Sequence, residues 1–263
     1  MWNMGILAAG LGFPLLMTTL GAAMVFCFRG QMNDRVQRCF LGFAAGVMIA
    51  ASVWSLLLPA IEQGAALGLP GWLPAAGGFG LGVVFLLGLD HLIPHLHAIL
   101  GVREGLPARL KPTTLLVLAV TIHNIPEGMA VGLCFAMAAQ QGMRRAALAG
   151  AWALAMGIGI QNFPEGAAVS LPLRGEGMGR GKAFAMGVLS GAVEPVFGTL
   201  AVACSGLLVS AMPWLLSFAA GAMLYVVVEE LIPEANVNPH SDLGTLSAMA
   251  GFVVMMVLDV MLG

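Results

Sequence analysis

Long apolar runs, separated by short polar segments, constrain this sequence more than any other feature. Hydrophobic residues make up 59% of the 263-residue chain and charged residues only 9%, whereas about a quarter of the residues in a soluble domain are charged. A chain with so few charges cannot cover a folded body with a surface that water solvates. The runs are long enough to span a bilayer, which takes roughly 20 apolar residues per helix. The sequence therefore predicts an all-α membrane protein and excludes a large soluble catalytic domain.

Charged, Pro-rich or Gly-rich segments divide the chain into eight predicted transmembrane helices. We expect these helices to form one polytopic transmembrane domain that covers residues 1–263. The predicted helices lie near residues 5–28, 38–61, 76–98, 113–138, 145–171, 183–211, 214–233 and 244–262.

The basic residues predict how this domain is oriented. With eight spans, every Lys and Arg except Arg144 and Arg145 falls in loops on one side of the membrane. Loops rich in Lys and Arg stay on the cytoplasmic side, so both termini are expected to face outward. The net charge is only −2 and the basic residues form no continuous patch, so a nucleic-acid partner is not expected.

The sequence also repeats itself at low similarity, and the copies predict the architecture. The matching segments are Phe-Ala-Ala-Gly-Val-Met at 43–48 with Phe-Ala-Ala-Gly-Ala-Met at 218–223, the runs that end at Asp90 and Asp259, and the segments around Pro14 and Pro195. Each copy follows its partner by five helices, and an odd offset makes the copies cross the membrane in opposite directions. We therefore predict a 3+2+3 arrangement with an inverted repeat, spans 1–3 against spans 6–8, as in many secondary transporters. Chance similarity between helices rich in Ala, Gly and Val is the alternative.

Polar residues are concentrated in the two central spans. Span 4 contains His-Asn-Ile-Pro-Glu-Gly at 123–128, and span 5 contains Gln-Asn-Phe-Pro-Glu-Gly at 161–166. A charge at the bilayer centre costs roughly 2.5–3.5 kcal/mol, so carboxylates there are functional candidates. Positions i and i+4 share a helix face, which predicts one midplane pocket. Its candidate residues are His123, Asn124, Glu127, Gln161, Asn162, Glu165 and, from span 6, Glu194.

Clustered carboxylates in a dry pocket need compensation, either by protons or by a polyvalent cation. One imidazole, several carboxylates and amide oxygens suit a borderline divalent ion such as Zn²⁺. Three other readings stay open at this point: a structural polar cluster, a proton relay in a proton-coupled carrier of a small solute, and an intramembrane metalloenzyme. The His-Glu-x-x-His motif of a metalloenzyme is absent from the sequence.

The paired motif resembles the ZIP family of divalent metal transporters, especially its bacterial GufA-type branch, and the resemblance covers essentially the whole chain. It implies a transporter rather than an enzyme. Its transported substrate would be Zn²⁺ or else Cd²⁺, Fe²⁺ or Mn²⁺, with no organic cofactor. It also implies uptake into the cytoplasm across a bacterial inner membrane. Spans 1, 4, 5 and 6 would move against spans 2, 3, 7 and 8 in an elevator-like step.

The resemblance further implies a binuclear metal site. It assigns His123, Glu127 and Glu165 to one metal, with Ser55 close by. The second metal would be held by Asn124, Glu127, Asn162, Glu165 and Glu194, with Gln161 beside it. Many family members have His where this chain has Gln161, and some are acidic where it has Asn162, so the second site carries less charge here.

Two further groups of residues are expected at the ends of the transport path. Glu62 closes span 2 on the outer side, and Ser55 and Met48 lie deeper on the same stripe, which predicts an entrance; for Met48, ordinary packing is the alternative. On the inner side, the resemblance implies that an exit or auxiliary metal site is formed by residues among Asp90, His95, His97, Glu229 and Glu230. The expected partners are divalent metal ions and the lipid bilayer. The small-residue spacings Gly42/Gly46 and Gly128/Gly132 would also permit a homodimer.

Overall fold

Eight long helices account for almost all of the chain that the computed structural model describes, which is residues 4–28, 33–92, 95–96, 103–104, 112–205, 209–237 and 241–262. They are α1 (Met4–Cys27), α2 (Asp34–Ala66), α3 (Trp72–Leu92), α4 (Pro112–Gln140), α5 (Arg145–Gly175), α6 (Arg180–Ser205), α7 (Met212–Ala235) and α8 (Leu243–Leu262). Seven of them, α1 to α3 and α5 to α8, are long and apolar enough to cross a membrane.

Four of these helices are not uniform along their length. A single residue, Ala23, divides α1 into Met4–Ala22 and Met24–Cys27, and Ala192 divides α6 into Arg180–Gly191 and Val193–Ser205. Both α2 and α7 contain a π-helical segment between two α-helical parts. In α2 the π-helical segment Ser52–Leu57 separates Asp34–Ala51 from Leu58–Ala66. In α7 the π-helical segment Val227–Leu231 separates Met212–Val226 from Ile232–Ala235. A 3₁₀ turn, Val209–Ala211, precedes α7. Between α3 and α4, strands β1 (His95–Leu96) and β2 (Arg103–Glu104) pair antiparallel.

Local chemistry explains where several helices begin and end. The Asn33 side chain caps α2 by accepting a hydrogen bond from the backbone N–H of Arg35 at 2.9 Å, which satisfies a donor that the first helical turn leaves unpaired. Helix α3 is described as far as Leu92, and its predicted end near residue 98 lies outside the described residues. Gly142, with φ of 72°, supplies the left-handed turn between α4 and α5.

A proline explains the π-helical segment Ser52–Leu57 of α2. Pro59 has no backbone N–H, so the carbonyl of Ser55 loses its usual partner four residues later. The helix widens at this point, and the N–H of Leu58 donates to the carbonyl five residues back, that of Val53, which is the π-helical pattern. The same bond recurs in α7, where a proline follows Val227–Leu231 in the same way. The Ser55 carbonyl is therefore available to a group outside α2.

The most extensive helix pairs are α2 with α8, α3 with α7, α1 with α5, and α4 with α6. Glycines permit the close approach in these pairs. A Cβ on Gly46 of α2 would lie 1.9 Å from the carbonyl oxygen of Ala248 in α8, and one on Gly221 of α7 would lie 2.1 Å from that of Phe79 in α3. No side chain larger than hydrogen fits at such distances, so these backbones pack directly against each other.

Burial differs strongly between helices. Helices α2 and α7 are the most buried of the seven candidate spans, and α8 and α3 are the most exposed. Exposed apolar side chains on α3 and α8, which suit a lipid environment, include Leu81, Val84, Leu246, Val253 and Val260. The interior of the bundle is consequently formed by α2, α4, α5 and α7, and the polar residues of α4 and α5 lie inside it.

Candidate metal centre

Two helices supply most of the polar side chains in the interior. The pairs His123 with Glu127 on α4 and Gln161 with Glu165 on α5 are each separated by one helical turn, so each pair lies on one face. Glu127 and Gln161 are fully buried. Glu194 of α6 is only 1% exposed, and its charge and that of Glu165 lie close enough to interact with Glu127. Three helices thus bring three carboxylates into one buried region.

Amide side chains connect these carboxylates across helices. Gln161 Nε2 of α5 donates to Glu127 Oε1 of α4 at 2.6 Å. Asn162 Nδ2 donates to both carboxylate oxygens of Glu194 in α6, each at 2.8 Å. Asn124 Nδ2 donates to the carbonyl oxygen of Ser190 at 2.9 Å. Each amide nitrogen is used to hold a neighbouring helix, and the amide oxygens remain available.

A set of buried oxygens in this region has no hydrogen-bond partner among the described residues. Burying an acceptor without a partner is costly, so buried polar groups are nearly always satisfied. Several such acceptors together therefore indicate a place for a positively charged group or for protons. The oxygens are Asn124 Oδ1, Glu127 Oε2, Gln161 Oε1, Asn162 Oδ1 and Glu165 Oε2.

His123 links this pocket to α7. Its Nε2 lies 2.5 Å from Glu230 Oε1, and the side chains are 12% and 10% exposed. Glu165 and Glu234 also lie close enough for their charges to interact with His123. The sequence predicted Glu230 at an inner exit and did not predict its bond to His123. The internal repeat contained a signal that Glu230 lies near the pocket. Glu230 follows Phe218 by the same number of residues as Ser55 follows Phe43, and Ser55 was expected close to the first metal.

Ser55 is bonded to a different group. Its hydroxyl donates to Asp259 Oδ1 of α8 at 2.6 Å, and its backbone carbonyl accepts from Cys134 Sγ of α4 at 3.4 Å. Ser55, Cys134 and Asp259 line a cavity of about 350 Å³ together with Glu62 and Met137. We call it the Asp259 cavity. Sequence reasoning used Asp259 only as a mark of the repeat and missed its place here.

The residues predicted for the two ends of the path are placed differently from one another. Glu62 is exposed and lines the Asp259 cavity. Met48 is 1% exposed within the hydrophobic core, and the residues lining that cavity in the described chain do not include it.

At the other end, Tyr225 Oη donates to Asp90 Oδ2 at 3.0 Å. Glu229 is exposed and shares a groove of about 390 Å³ with Tyr225. The backbone of His95 lies in β1, but its side chain and the whole of His97 lie outside the described residues. The structure therefore brings Glu230 to the central pocket and leaves Asp90 and Glu229 beside Tyr225.

Within the described ranges, no group of three or more His, Cys, Asp or Glu side chains is already arranged to hold a metal ion. The His123 imidazole is engaged by Glu230, and one oxygen of Glu127 is engaged by Gln161. Coordination of an ion in this pocket would thus require side chains to exchange hydrogen-bond partners.

Comparisons with known proteins agree on one family. A family model described as ZIP Zinc transporter matches residues 104–259. The chain is 41% identical to "Zinc transporter ZIPB" of Bordetella bronchiseptica, over 98% of this chain and 81% of that protein. It is 38% identical to "Zinc transporter GufA" of Myxococcus xanthus, over 98% of this chain and 100% of that protein. It is also 38% identical to "Zinc transporter ZIP11" of Homo sapiens, over 97% and 96% respectively.

Proposed function

This chain belongs to the ZIP zinc transporter family, and we propose that it carries Zn²⁺ through the buried pocket between α4, α5 and α6. It is a multi-pass membrane protein that transports divalent metal ions, and it is not an enzyme. Zinc is the first substrate to consider because the similar proteins are named zinc transporters. Cd²⁺, Fe²⁺ and Mn²⁺ could use the same nitrogen and oxygen ligands.

The unpaired buried oxygens carry this proposal. Three carboxylates and three amides converge there, and every amide nitrogen is already used as a donor. The pocket is consequently rich in acceptors and poor in donors, which a bound cation would correct. A divalent ion fits better than a monovalent one because it balances two carboxylates at once.

We propose a binuclear site in this pocket. His123, Glu127 and Glu165 would hold the first ion once His123 exchanges Glu230 for the metal. Asn124, Glu127, Asn162, Glu165 and Glu194 would hold the second ion through oxygen atoms, with Gln161 orienting Glu127. Ser55 lies on the approach to the pocket.

For the architecture, we propose that α4 is the eighth span and that the helices form a single domain in a 3+2+3 arrangement. Exchanging α1–α3 with α6–α8 and α4 with α5 converts each extensive helix pair into another, which supports an inverted repeat. Individual contacts follow the same exchange. A Cβ on Gly251 of α8 would lie 2.1 Å from the Phe43 carbonyl oxygen, and one on Gly82 of α3 would lie 2.1 Å from that of Phe218.

The direction and the motion follow from this topology. With the basic loops in the cytoplasm and the termini outside, Glu62 is at the outer end of the path, and uptake across a bacterial inner membrane runs from Glu62 towards Glu230. The extensive helix pairs fall within two groups, α1, α4, α5, α6 and α2, α3, α7, α8. The bond between His123 and Glu230 joins the two groups, which supports an elevator-like movement of one against the other.

Metal binding to the purified protein tests the proposal. We would measure Zn²⁺ and Cd²⁺ by elemental analysis and titration calorimetry in detergent for the wild type, His123→Ala, Glu127→Ala and the control Glu176→Ala. Glu176 is exposed in the loop after α5. Tight stoichiometric binding that both pocket variants lose and the control keeps is the expected result. A wild type that binds no divalent ion would overturn the proposal, and the carboxylates would then be treated as a proton relay.

A further inference from the structure

The Asp259 cavity is separate from the pocket of the proposed metal site. It lies between the ends of α2, α4, α5 and α8. Glu62 and Gln141 at its mouth are exposed, whereas Ser55, Cys134 and Asp259 at its floor are buried. We infer that this floor is a further cation site, formed by Asp259, Ser55 and Cys134, and that it selects borderline and soft divalent ions such as Zn²⁺ and Cd²⁺.

Asp259 is the first observation behind this inference. The side chain is 8% exposed on an otherwise apolar helix. Its Oδ1 accepts from the Ser55 hydroxyl, but its Oδ2 has no hydrogen-bond partner among the described residues. The cavity above this carboxylate is large enough for hydrated ions. A cation bound there would supply the partner that the buried, unpaired oxygen lacks.

Cys134 adds a sulfur to the same point. Because Pro59 leaves the Ser55 carbonyl without a helical partner, the thiol of Cys134 can donate to that carbonyl, at 3.4 Å. Ser55 thus contacts Asp259 through its hydroxyl and Cys134 through its carbonyl. Asp259 lies close enough to Cys134 to repel a negative charge on its sulfur, and a cation between the two groups would remove that repulsion. A metal ion here would bond to the thiolate sulfur and displace the thiol proton to water in the cavity.

The sulfur gives this site a selectivity that the central pocket lacks. Thiolate favours Zn²⁺ and Cd²⁺, whereas carboxylate and carbonyl oxygens also suit Mg²⁺, Ca²⁺ and Mn²⁺. The central pocket contains one imidazole and otherwise oxygen ligands. Cys134 follows Glu127 by two helical turns on the same face of α4, about 10 Å along the axis. An ion that enters past Glu62 would meet the sulfur first, a step that rests on the proposed function.

Cadmium absorbance tests the site directly. The chain has four cysteines, so we would change Cys27, Cys39 and Cys204 to Ser and leave Cys134 alone. Titration of this purified protein with Cd²⁺ should produce the ultraviolet charge-transfer band of a Cd²⁺–thiolate bond, and excess Mg²⁺ should not remove it. Cys134→Ser should abolish the band. Absence of the band in the parent protein, or its loss to Mg²⁺, would overturn the inference.

Two carboxylate variants separate ligation from folding. Asp259→Asn keeps an oxygen to accept from Ser55, so it should fold, but it should weaken Cd²⁺ binding at the thiolate at least tenfold. Glu176→Gln is the control, because Glu176 is exposed in the loop after α5; it should leave the band unchanged. Equal Cd²⁺ affinity in Asp259→Asn and Glu176→Gln would contradict ligation by Asp259.

One more variant distinguishes failure here from failure of the proposed function. In the same background, His123→Ala should lower the total Cd²⁺ bound per chain, because it removes a ligand of the central pocket. The charge-transfer band should remain, because the central pocket contains no thiol and does not contribute to it. Retention of the band with unchanged total Cd²⁺ would support the cavity site and contradict the central site. Loss of the band in His123→Ala would contradict an independent cavity site.

Discussion

At the residue scale, the neutral amides determine how the carboxylates of the pocket are presented. Gln161 holds one oxygen of Glu127, and Asn162 holds both oxygens of Glu194. An amide orients a carboxylate without neutralising it, so burying Glu127, Glu165 and Glu194 together costs free energy when no cation is bound, whether the groups repel as charges or take up protons. The pocket is therefore built for binding at the expense of stability in the metal-free protein.

Glu165→Gln tests this balance. Replacing one of the three clustered carboxyl groups by an amide should raise the thermal unfolding midpoint of the metal-free protein, because fewer ionisable groups are buried together and the side-chain volume is kept. The same change removes a metal ligand, so Zn²⁺ affinity should fall at least tenfold, equivalent to about 1.4 kcal/mol. Thermal unfolding in detergent with and without Zn²⁺ measures both effects. Glu176→Gln, in an exposed loop, should change neither, and a metal-free Glu165→Gln protein that melts below the wild type would contradict the explanation.

Sequence reasoning reached some residues of this pocket and could not reach others. Side chains one helical turn apart, such as His123 and Glu127, could be assigned to one face because helical periodicity is local. The bond between His123 and Glu230 joins positions 107 residues apart, so it depends on how helices pack. The family, in contrast, could be identified from the paired motif alone, and the comparisons confirm it.

At the element scale, glycines determine how closely the paired helices approach. An Ala in place of Gly normally favours a helix by up to about 1 kcal/mol. At Gly46 and Gly221, however, the added Cβ would meet a carbonyl oxygen of the neighbouring helix at 1.9 and 2.1 Å. The steric cost of overpacking, about 1–3 kcal/mol, exceeds the gain in propensity. Substitution should therefore destabilise these helix pairs.

We expect Gly46→Ala and Gly221→Ala each to lower stability by about 1–3 kcal/mol. Gly88→Ala in α3 is the matched control, since its Cβ would meet no described atom within 4 Å, and it should be neutral or slightly stabilising. Thermal unfolding of the three purified variants gives the comparison. A Gly46→Ala protein as stable as Gly88→Ala would show that α2 and α8 do not approach as closely as described.

Helices as elements could be predicted from the apolar runs, but their internal breaks could not. The prolines Pro59 and Pro233 were visible in the sequence, yet a proline can kink a helix, end it or widen it into a π-helix. Only the bonds from Leu58 to Val53 and from Ile232 to Val227 show which outcome applies. The widened turns matter because they free a backbone carbonyl beside the polar residues of α2 and α7.

At the scale of the whole molecule, two groups of helices are each closely packed internally. Phe85 of α3 and Phe218 of α7 pack with ring centroids 5.3 Å apart inside one group. Contacts between the groups include polar ones, such as the bond from His123 to Glu230 and that from Gln63 Nε2 to Met137 Sδ at 2.7 Å. A pair of hydrogen bonds can exchange partners during a movement more readily than interlocked backbones can separate.

Cross-linking tests whether the groups move. In a background with all four native cysteines changed to Ser, we would introduce one cysteine pair at Gln63 and Met137, between the groups, and another at Phe85 and Phe218, within one group. Each protein would be reconstituted in liposomes and joined by a short reducible thiosulfonate linker. If the groups slide past each other, the Gln63–Met137 link should stop Zn²⁺ uptake and reduction should restore it, whereas the Phe85–Phe218 link should leave uptake unchanged. Because each protein is compared with its own reduced form, loss of the native cysteines cannot account for the difference. Full uptake through the linked Gln63–Met137 protein would mean that the ion passes between groups that stay fixed.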